Sequence, residues 1–311
     1  MTRHVLPPGQ AIRSGALIGI GLMLLGVFLF AVNDVMGKWL VATYSVGQVL
    51  LLRSIAALAV LLPIMRKQNV PFRIPPQPGL HAVRITLSTL EVACFYWAVT
   101  YLPLADVMTY YLAGPIYVAA FAFFWLDERL DAPRILAIAV GFVGVLIALR
   151  PSPATLSLPA LIALAGSVFY SLLMITTRML RETHDATLVL GQIIGTLIFG
   201  IVAAPLAWVT PGPLDLAALF LLGIVSMAAH ACVNRSLKIA PASVVAPYQY
   251  TLIVWAIVLG YLAFGDIVQF WTLVGAAVIC GAGIVLLLLE REAARRGRVA
   301  KDIEPPVLPE A

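Results

Sequence analysis

Five charged side chains fall within or at the edges of stretches otherwise apolar enough to cross a bilayer: Asp34, Lys38, Arg53, Glu91 and Asp106. Each costs at least about 2.5–3.5 kcal/mol at a bilayer centre unless it is paired or wet. The chemistry open to them is therefore ion pairing, recognition of a polar solute, or proton carriage. Asp34 and Lys38 stand four residues apart, so on a helix they share a face and can pair. Arg53 lies in the outer part of its stretch, where it either pins that stretch to Asp34 or Glu91 or contacts a solute. Glu91 lies near the middle of its own stretch. Ser88 and Phe95 share its face, no basic residue lies within one turn, and Arg84 is two turns away. Removing a carboxylate from water disfavours its charged form, which makes Glu91 the candidate proton-coupling site.

Aromatic side chains stand beside polar ones in three places: Tyr96 and Trp97, Tyr110 and Tyr111 ahead of Pro115, and Tyr248, Gln249 and Tyr250 after Pro247. A proline inside a span frees a backbone carbonyl that a cavity can use. An aromatic-lined cavity suits a flat or amphipathic organic solute, with cation–π contact available to a positive charge. The candidate substrate-binding residues are Asn33, Asp34, Arg53, Glu91, Trp97, Tyr110, Tyr111, Tyr248 and Tyr250. Tyr101 and Tyr261, near span ends, fit an interfacial belt. His230 and Asn234 share a face and are expected to hydrogen-bond between helices.

Catalytic chemistry finds little support. Gly37-Lys38 lacks the upstream glycine and the following hydroxyl residue of a phosphate loop, so nucleotide-driven transport is disfavoured. No zinc-protease helix motif and no serine elbow occurs. Asp127, Glu128 and Asp131 are interleaved with Arg129 and Arg134, as in a solvated, charge-balanced turn. Cys94, Cys232 and Cys280 have no paired spacing, which gives no basis for a disulfide framework, a metal or any other cofactor.

The elements that must position these residues are membrane helices. The chain is 62% apolar and 11% charged, against roughly 25% charged in soluble domains, and its mean hydropathy is +1.00. At about 20 apolar residues per crossing, ten spans are expected near 16–38, 46–65, 80–101, 105–126, 134–149, 158–178, 187–208, 215–236, 242–264 and 270–289. The net charge of +5 then reads as cytoplasmic basic loops, with no call for nucleic acid as a partner. Ten spans put both termini on one side. All of the 20 basic residues except Lys38, Arg53 and Arg150 fall there, so both termini are expected to be cytoplasmic. Arg3 and Arg13 precede the first apolar run, but its length and its echo in the second half argue for a retained span over a cleaved signal.

That echo is a duplication. Leu164–Leu180 aligns with Leu24–Leu40, setting Gly166 under Gly26, Tyr170 under Phe30 and Arg178 under Lys38. Leu104-Ala105-Asp106-Val107 likewise aligns with Pro241-Ala242-Ser243-Val244. The expected units are 14–150 (spans one to five) and 157–289 (spans six to ten), followed by a disordered cytoplasmic tail over 290–311. Five spans per unit force the second to enter the membrane inverted, an architecture that alternates access to a site between the halves. Gly15-x-x-x-Gly19, Gly191-x-x-x-Gly195, Gly141 to Gly144 and Gly281 to Gly283 suit close helix packing, within a monomer or between the subunits of a homodimer.

The duplicated unit, Arg53, Leu102-Pro103-Leu104-Ala105-Asp106, Asp127-Glu128-Arg129 and Gly141 to Gly144 together resemble the drug/metabolite transporter superfamily, specifically its ten-span EamA-type members. The resemblance runs from about Ala16 to Leu289. Within it, Asn33 to Lys38 and Ala246-Pro247-Tyr248-Gln249-Tyr250 look most like the S-adenosylmethionine uptake carriers of proteobacteria. The second unit departs from the first: Arg53 has no basic counterpart, and Gln192 is the nearest polar residue. The resemblance implies an all-α, multi-pass carrier of the bacterial inner membrane. It would move a small organic metabolite, amino-acid-derived or nucleoside-like, by alternating access between the two units. Riboflavin or another heteroaromatic is the alternative substrate, and a membrane-embedded enzyme or structural protein is the alternative class.

Overall fold

The computed structural model describes residues 8–70, 76–114, 116–117, 121, 132–149, 157–180, 182–239 and 246–303. Among these, every regular element is helical. The α-helices are α1 (Pro8–Val41), α2 (Val46–Lys67), α3 (Pro78–Tyr101), α4 (Leu104–Leu112) and α5 (Ala132–Leu149) from the first half of the chain. The second half supplies α6 (Leu158–Met179), α7 (Asp185–Ala203), α8 (Pro213–Ile239), α9 (Thr251–Phe264) and α10 (Phe270–Ile303). Short 3₁₀ turns at Ala204–Ala207 and Ala246–Tyr250 lead out of α7 and into α9. Six of the helices, α1 to α3 and α6 to α8, are long and apolar enough to cross a membrane, and shorter apolar helices cover 135–148, 248–264 and 270–285. The chain is a multi-pass membrane protein.

Helix limits follow local chemistry. Ser45 caps α2 by accepting the Gln48 backbone N–H at 3.3 Å, and Pro78 opens α3 at a position where no N–H is required. Gly265, at φ 68°, ends α9 in the left-handed conformation that glycine tolerates. That turn brings Asp266 back over the end of α9. Two limits differ from the sequence reading. α4 stops at Leu112, three residues before Pro115, whose missing N–H interrupts the helix ladder, and the described residues beyond the turn at Ala113 (Gly114, Ile116, Tyr117 and Phe121) are helical again. The expected remainder of span four lies largely outside the described residues, as do Asp127, Glu128 and Asp131. α10 runs past 289 to Ile303, into the segment expected to be disordered. The Glu-Arg-Glu-Ala-Ala-Arg-Arg run after Leu289 consists of strong helix formers that carry the helix onward.

The helices pair in a pattern that survives exchange of the two halves. α1 packs on α8 as α6 packs on α3, and α1 touches α9 as α6 touches α4. α2 packs on α7, α4 on α9 and α5 on α10, each with its own counterpart. Gly26 and Gly166, the aligned pair of the repeat, sit at equivalent crossings: Gly26 against Ala229 and Cys232 of α8, Gly166 against Cys94 of α3. Gly144 and Gly275 face one another across α5 and α10, and Gly191 and Gly195 seat α7 against Ile85 of α3. Small residues are what let membrane helices approach this closely. Tyr96, Leu104, Leu219, Leu222 and Ile279 fill the core between the halves.

A side chain on Gly223 would overlap the Arg53 backbone carbonyl where α8 crosses α2, whereas one on Gly281 would meet nothing within 4 Å. Gly223→Ala is therefore expected to lower stability by about 1–3 kcal/mol. Gly281→Ala should be neutral or stabilising by up to about 1 kcal/mol, since alanine favours helix over glycine. Thermal unfolding of both variants in one detergent checks the pair, and equal losses would mean the α2–α8 crossing is looser than described.

Candidate functional site

The polar residues of the first unit converge on Arg53 and Tyr96. Tyr96 is fully buried on α3, and its hydroxyl oxygen accepts from Arg53 Nη1 at 2.8 Å and from Asn33 Nδ2 at 3.2 Å. Asn33 also donates to Asp34 Oδ1 at 3.1 Å, which completes a chain Asp34–Asn33–Tyr96–Arg53 across α1, α3 and α2. The guanidinium carbon lies 5.5 Å from the centre of the Tyr96 ring, within cation–π range. On its other side Arg53 Nη2 donates to Ser226 Oγ of α8 at 2.7 Å. Arg53 is 9% exposed, and no carboxylate of a described residue lies within ion-pair distance of it.

A cleft opens beside that guanidinium, between α2, α7 and α8. Arg53, Ser54, Gln192, Thr196, Ser226 and His230 supply its polar lining, with an empty volume of about 350 Å³, mouth included. Ser54 and Thr196 close one wall through a hydroxyl pair at 2.8 Å. His230 Nδ1 lies 2.8 Å from the Ser226 carbonyl, so Nδ1 carries the proton and donates. Nε2 is then an acceptor and faces Gln192 Nε2 at 3.5 Å. The contact expected of His230 between helices is present, and the Asn234 side chain lies outside what the structure describes.

The candidate residues separate into two groups. Asn33, Asp34 and Arg53 are linked through the Tyr96 hydroxyl. Glu91 and Tyr111 stand next to them: Glu91 is half-buried, within the electrostatic reach of Asp34 and Arg53, and its backbone carbonyl accepts from the Tyr111 hydroxyl at 3.2 Å. Tyr111 also packs on Gly166. The remaining four lie elsewhere. Trp97 stacks on the exposed Tyr101 at 4.8 Å. Tyr110 is buried in the core, and Asp106 is its charged neighbour. Tyr248 packs against Met23 and Val27 of α1, and Tyr250 against Gly283 of α10. The missing N–H of Pro115 frees the carbonyl of Tyr111, four residues back, while the Gly114 carbonyl accepts from Ser171 of α6 at 3.3 Å and ties this end of α4 to that helix. Tyr96, Ser226, Ser54 and Thr196 were not marked as site residues by sequence. Hydroxyls one turn from apolar neighbours look like ordinary span residues until a partner helix is placed against them.

The Asp34–Lys38 pair that their spacing allows does not form. Asp34 turns inward to Asn33, while Lys38 pairs with Asp266 beyond α9 and lies over the Phe264 ring at 4.6 Å. Asp266 also accepts the Leu104 backbone N–H at 3.4 Å, and Asp106 bonds Thr272 of α10. A long lysine at a helix end reaches a partnered carboxylate on the other half more readily than a buried one on its own face. Two further links join the halves at this end. Tyr44 donates to Asp215 Oδ2 at 2.6 Å, and Gln48 exchanges hydrogen bonds with Val209 at 2.6 and 3.0 Å. The hydrogen bond to the Asp215 carboxylate pushes the Tyr44 phenol above its ordinary value, so Tyr44 stays a donor through neutral pH.

The sequence profile of the EamA-like transporter family matches the chain twice, over residues 17–150 and 157–289. Among curated proteins, the S-adenosylmethionine uptake transporter of Rickettsia conorii is 25% identical over 90% of this chain and 96% of its own length. The Pseudopaline exporter CntI of Pseudomonas aeruginosa is 26% identical over 88% and 96%. An uncharacterized transporter of Helicobacter pylori is 24% identical over 89% and 96%. One crystal structure superposes with a TM-score of 0.60 at 19% identity, covering 89% of this chain and 98% of the other, a likeness of fold.

Tyr96→Phe removes the one oxygen shared by Arg53 and Asn33 and leaves two buried N–H groups without that acceptor. The expected loss is about 1–3 kcal/mol, read as a lower unfolding temperature in detergent. A variant as stable as the parent would mean that Arg53 is held by Ser226 alone.

Proposed function

This chain belongs to the EamA-like transporter family, and on that premise we propose that it is a secondary carrier of a small organic metabolite working by alternating access. The observation that carries the reading is the polar cleft at the α2–α7 contact. There Arg53 of one unit and Gln192, its nearest polar counterpart in the other, line the same space. A binding site on the line between two repeats is the one place that rocking can open to either side in turn.

Ten spans in two inverted units, 14–150 and 157–289, fit the exchange-symmetric helix pairing. Both termini then face the cytoplasm of a bacterial inner membrane. In that orientation the Lys38–Asp266, Tyr44–Asp215 and Gln48–Val209 links all lie on the periplasmic side, and the described conformation is closed there. The substrate class is amino-acid-derived or nucleoside-like, with S-adenosylmethionine the first solute to try, as the name of the Rickettsia conorii relative suggests. The exporter among the relatives is named for a different solute and the opposite direction, so direction is open to the same assay. Glu91, whose carboxylate no described side chain bonds, is the proton-coupling residue of this reading. Residues of this chain carry no catalytic step, and no cofactor enters the cycle.

The test is transport by purified protein in proteoliposomes, with radiolabelled S-adenosylmethionine and a panel of amino acids and nucleosides. A solute coupled to one proton should accumulate up to about tenfold per unit of pH gradient, since one unit is about 1.36 kcal/mol. Glu91→Gln should abolish that accumulation while preserving exchange of internal for external solute, because exchange moves no net proton. Protein that moves no solute would overturn the carrier reading, and unchanged accumulation in Glu91→Gln would remove Glu91 from it.

A further inference from the structure

Arg53 is a buried cation whose protein partners are all neutral. A guanidinium carries five N–H donors. Tyr96 and Ser226 take one each, and the others have no acceptor among the described side chains. Asp34 is separated from it by two neutral groups, Asn33 and Tyr96, and neither Asp34 nor Glu91 lies within ion-pair distance of it or lines the cleft. Within the cleft the neighbours of the guanidinium are Ser54, Gln192, Thr196, Ser226 and His230, all uncharged in the arrangement described. A buried charge held only by hydroxyls stays poorly compensated. The planar fork of an arginine matches a carboxylate in two parallel hydrogen bonds.

We propose that Arg53, with Ser226 and Gln192 beside it, is the subsite that recognises a carboxylate of the transported solute. The subsite rests on the carrier reading above and narrows it. The solute bears a carboxylate, as an amino acid or an amino-acid-derived metabolite does, and a nucleoside without one is a poor substrate. Ser226 holds one edge of the guanidinium against α8, and the Gln192 amide adds a neutral contact from α7. The carboxylate would therefore touch both units of the repeat at once.

The experiment compares matched solutes that differ only at the carboxylate: S-adenosylmethionine and its decarboxylated form, L-methionine and L-methioninamide, L-histidine and histamine. Competition for uptake into proteoliposomes, and thermal stabilisation of the detergent-solubilised protein, give an affinity for each. Wild-type protein should prefer the carboxylate member of the pairs it accepts by about 10- to 100-fold, the range expected of hydrogen bonds to charged groups. Arg53→Gln should erase that preference by weakening the carboxylate member alone. Arg53→Lys keeps the charge and loses the fork, and should retain the preference at lower affinity, which keeps the test open if the glutamine variant fails to fold. Wild-type protein that handles both members alike leaves the carrier reading intact and overturns the subsite. A preference that survives in Arg53→Gln overturns it too. Protein that moves only solutes without a carboxylate overturns the subsite alone, and protein that moves no solute of the wider panel overturns the carrier reading with it.

Discussion

A guanidinium in the middle of a helix bundle is the constraint around which this molecule is arranged. Arginine does not give up its charge in a protein, and an unpaired charge in hydrocarbon is among the costliest things a membrane protein can contain. Arg53 is accommodated by bringing two helices to it. α3 supplies the Tyr96 hydroxyl and ring, α8 supplies Ser226, and the glycine at 223 lets the backbone of α8 come down onto the Arg53 carbonyl. Ser54, the next residue of α2, ties the same turn to Thr196 of α7. One charged side chain therefore fixes the packing of α2 against helices from both halves.

The rest of the bundle repeats that economy in pairs. Three of the corresponding pairs, α2 with α7, α4 with α9 and α5 with α10, pack on each other, and α1 with α8 is mirrored by α6 with α3. The aligned glycines Gly26 and Gly166 mark equivalent crossings. Duplication kept the crossings and let the side chains between them diverge, so that a cation on α2 faces an amide on α7. The links at the Lys38–Asp266 end also join one half to the other. They are one ion pair and several hydrogen bonds near helix ends, where water can replace a broken contact. Such contacts suit an interface that opens, and the dry packing of α5 on α10 suits one that stays shut.

The sequence makes the helices legible, because apolar length and proline or glycine punctuation are local properties. It makes the duplication legible through Gly26 and Gly166, and it singles out Arg53, since a charge in an apolar run has no local explanation. The partners of Arg53 are not legible. Tyr96 stands out only as one aromatic beside Trp97, with nothing to tie it to Arg53, and Ser226 resembles any small residue in a helix, until α3 and α8 are packed on α2. The Asp34–Lys38 spacing permits a pair on one helix, but the contact made is with Asp266, 228 positions away. Spacing can say which pairs a helix allows. Only the packing of the other half decides which of them forms.

Alternating access requires motion of one half against the other, and distances across the two ends of the bundle report it directly. Spin labels at Thr43 and Leu214, both exposed beside the Tyr44–Asp215 link, span one end. Labels at Gly79 and Glu182, exposed beside His81 and Thr183, whose side chains lie 3.4 Å apart, span the other. Pulsed electron paramagnetic resonance in lipid nanodiscs, with and without a transported solute, should give two populations in which one distance lengthens as the other shortens. Two distances that stay fixed, or that lengthen together, would contradict alternating access between the halves.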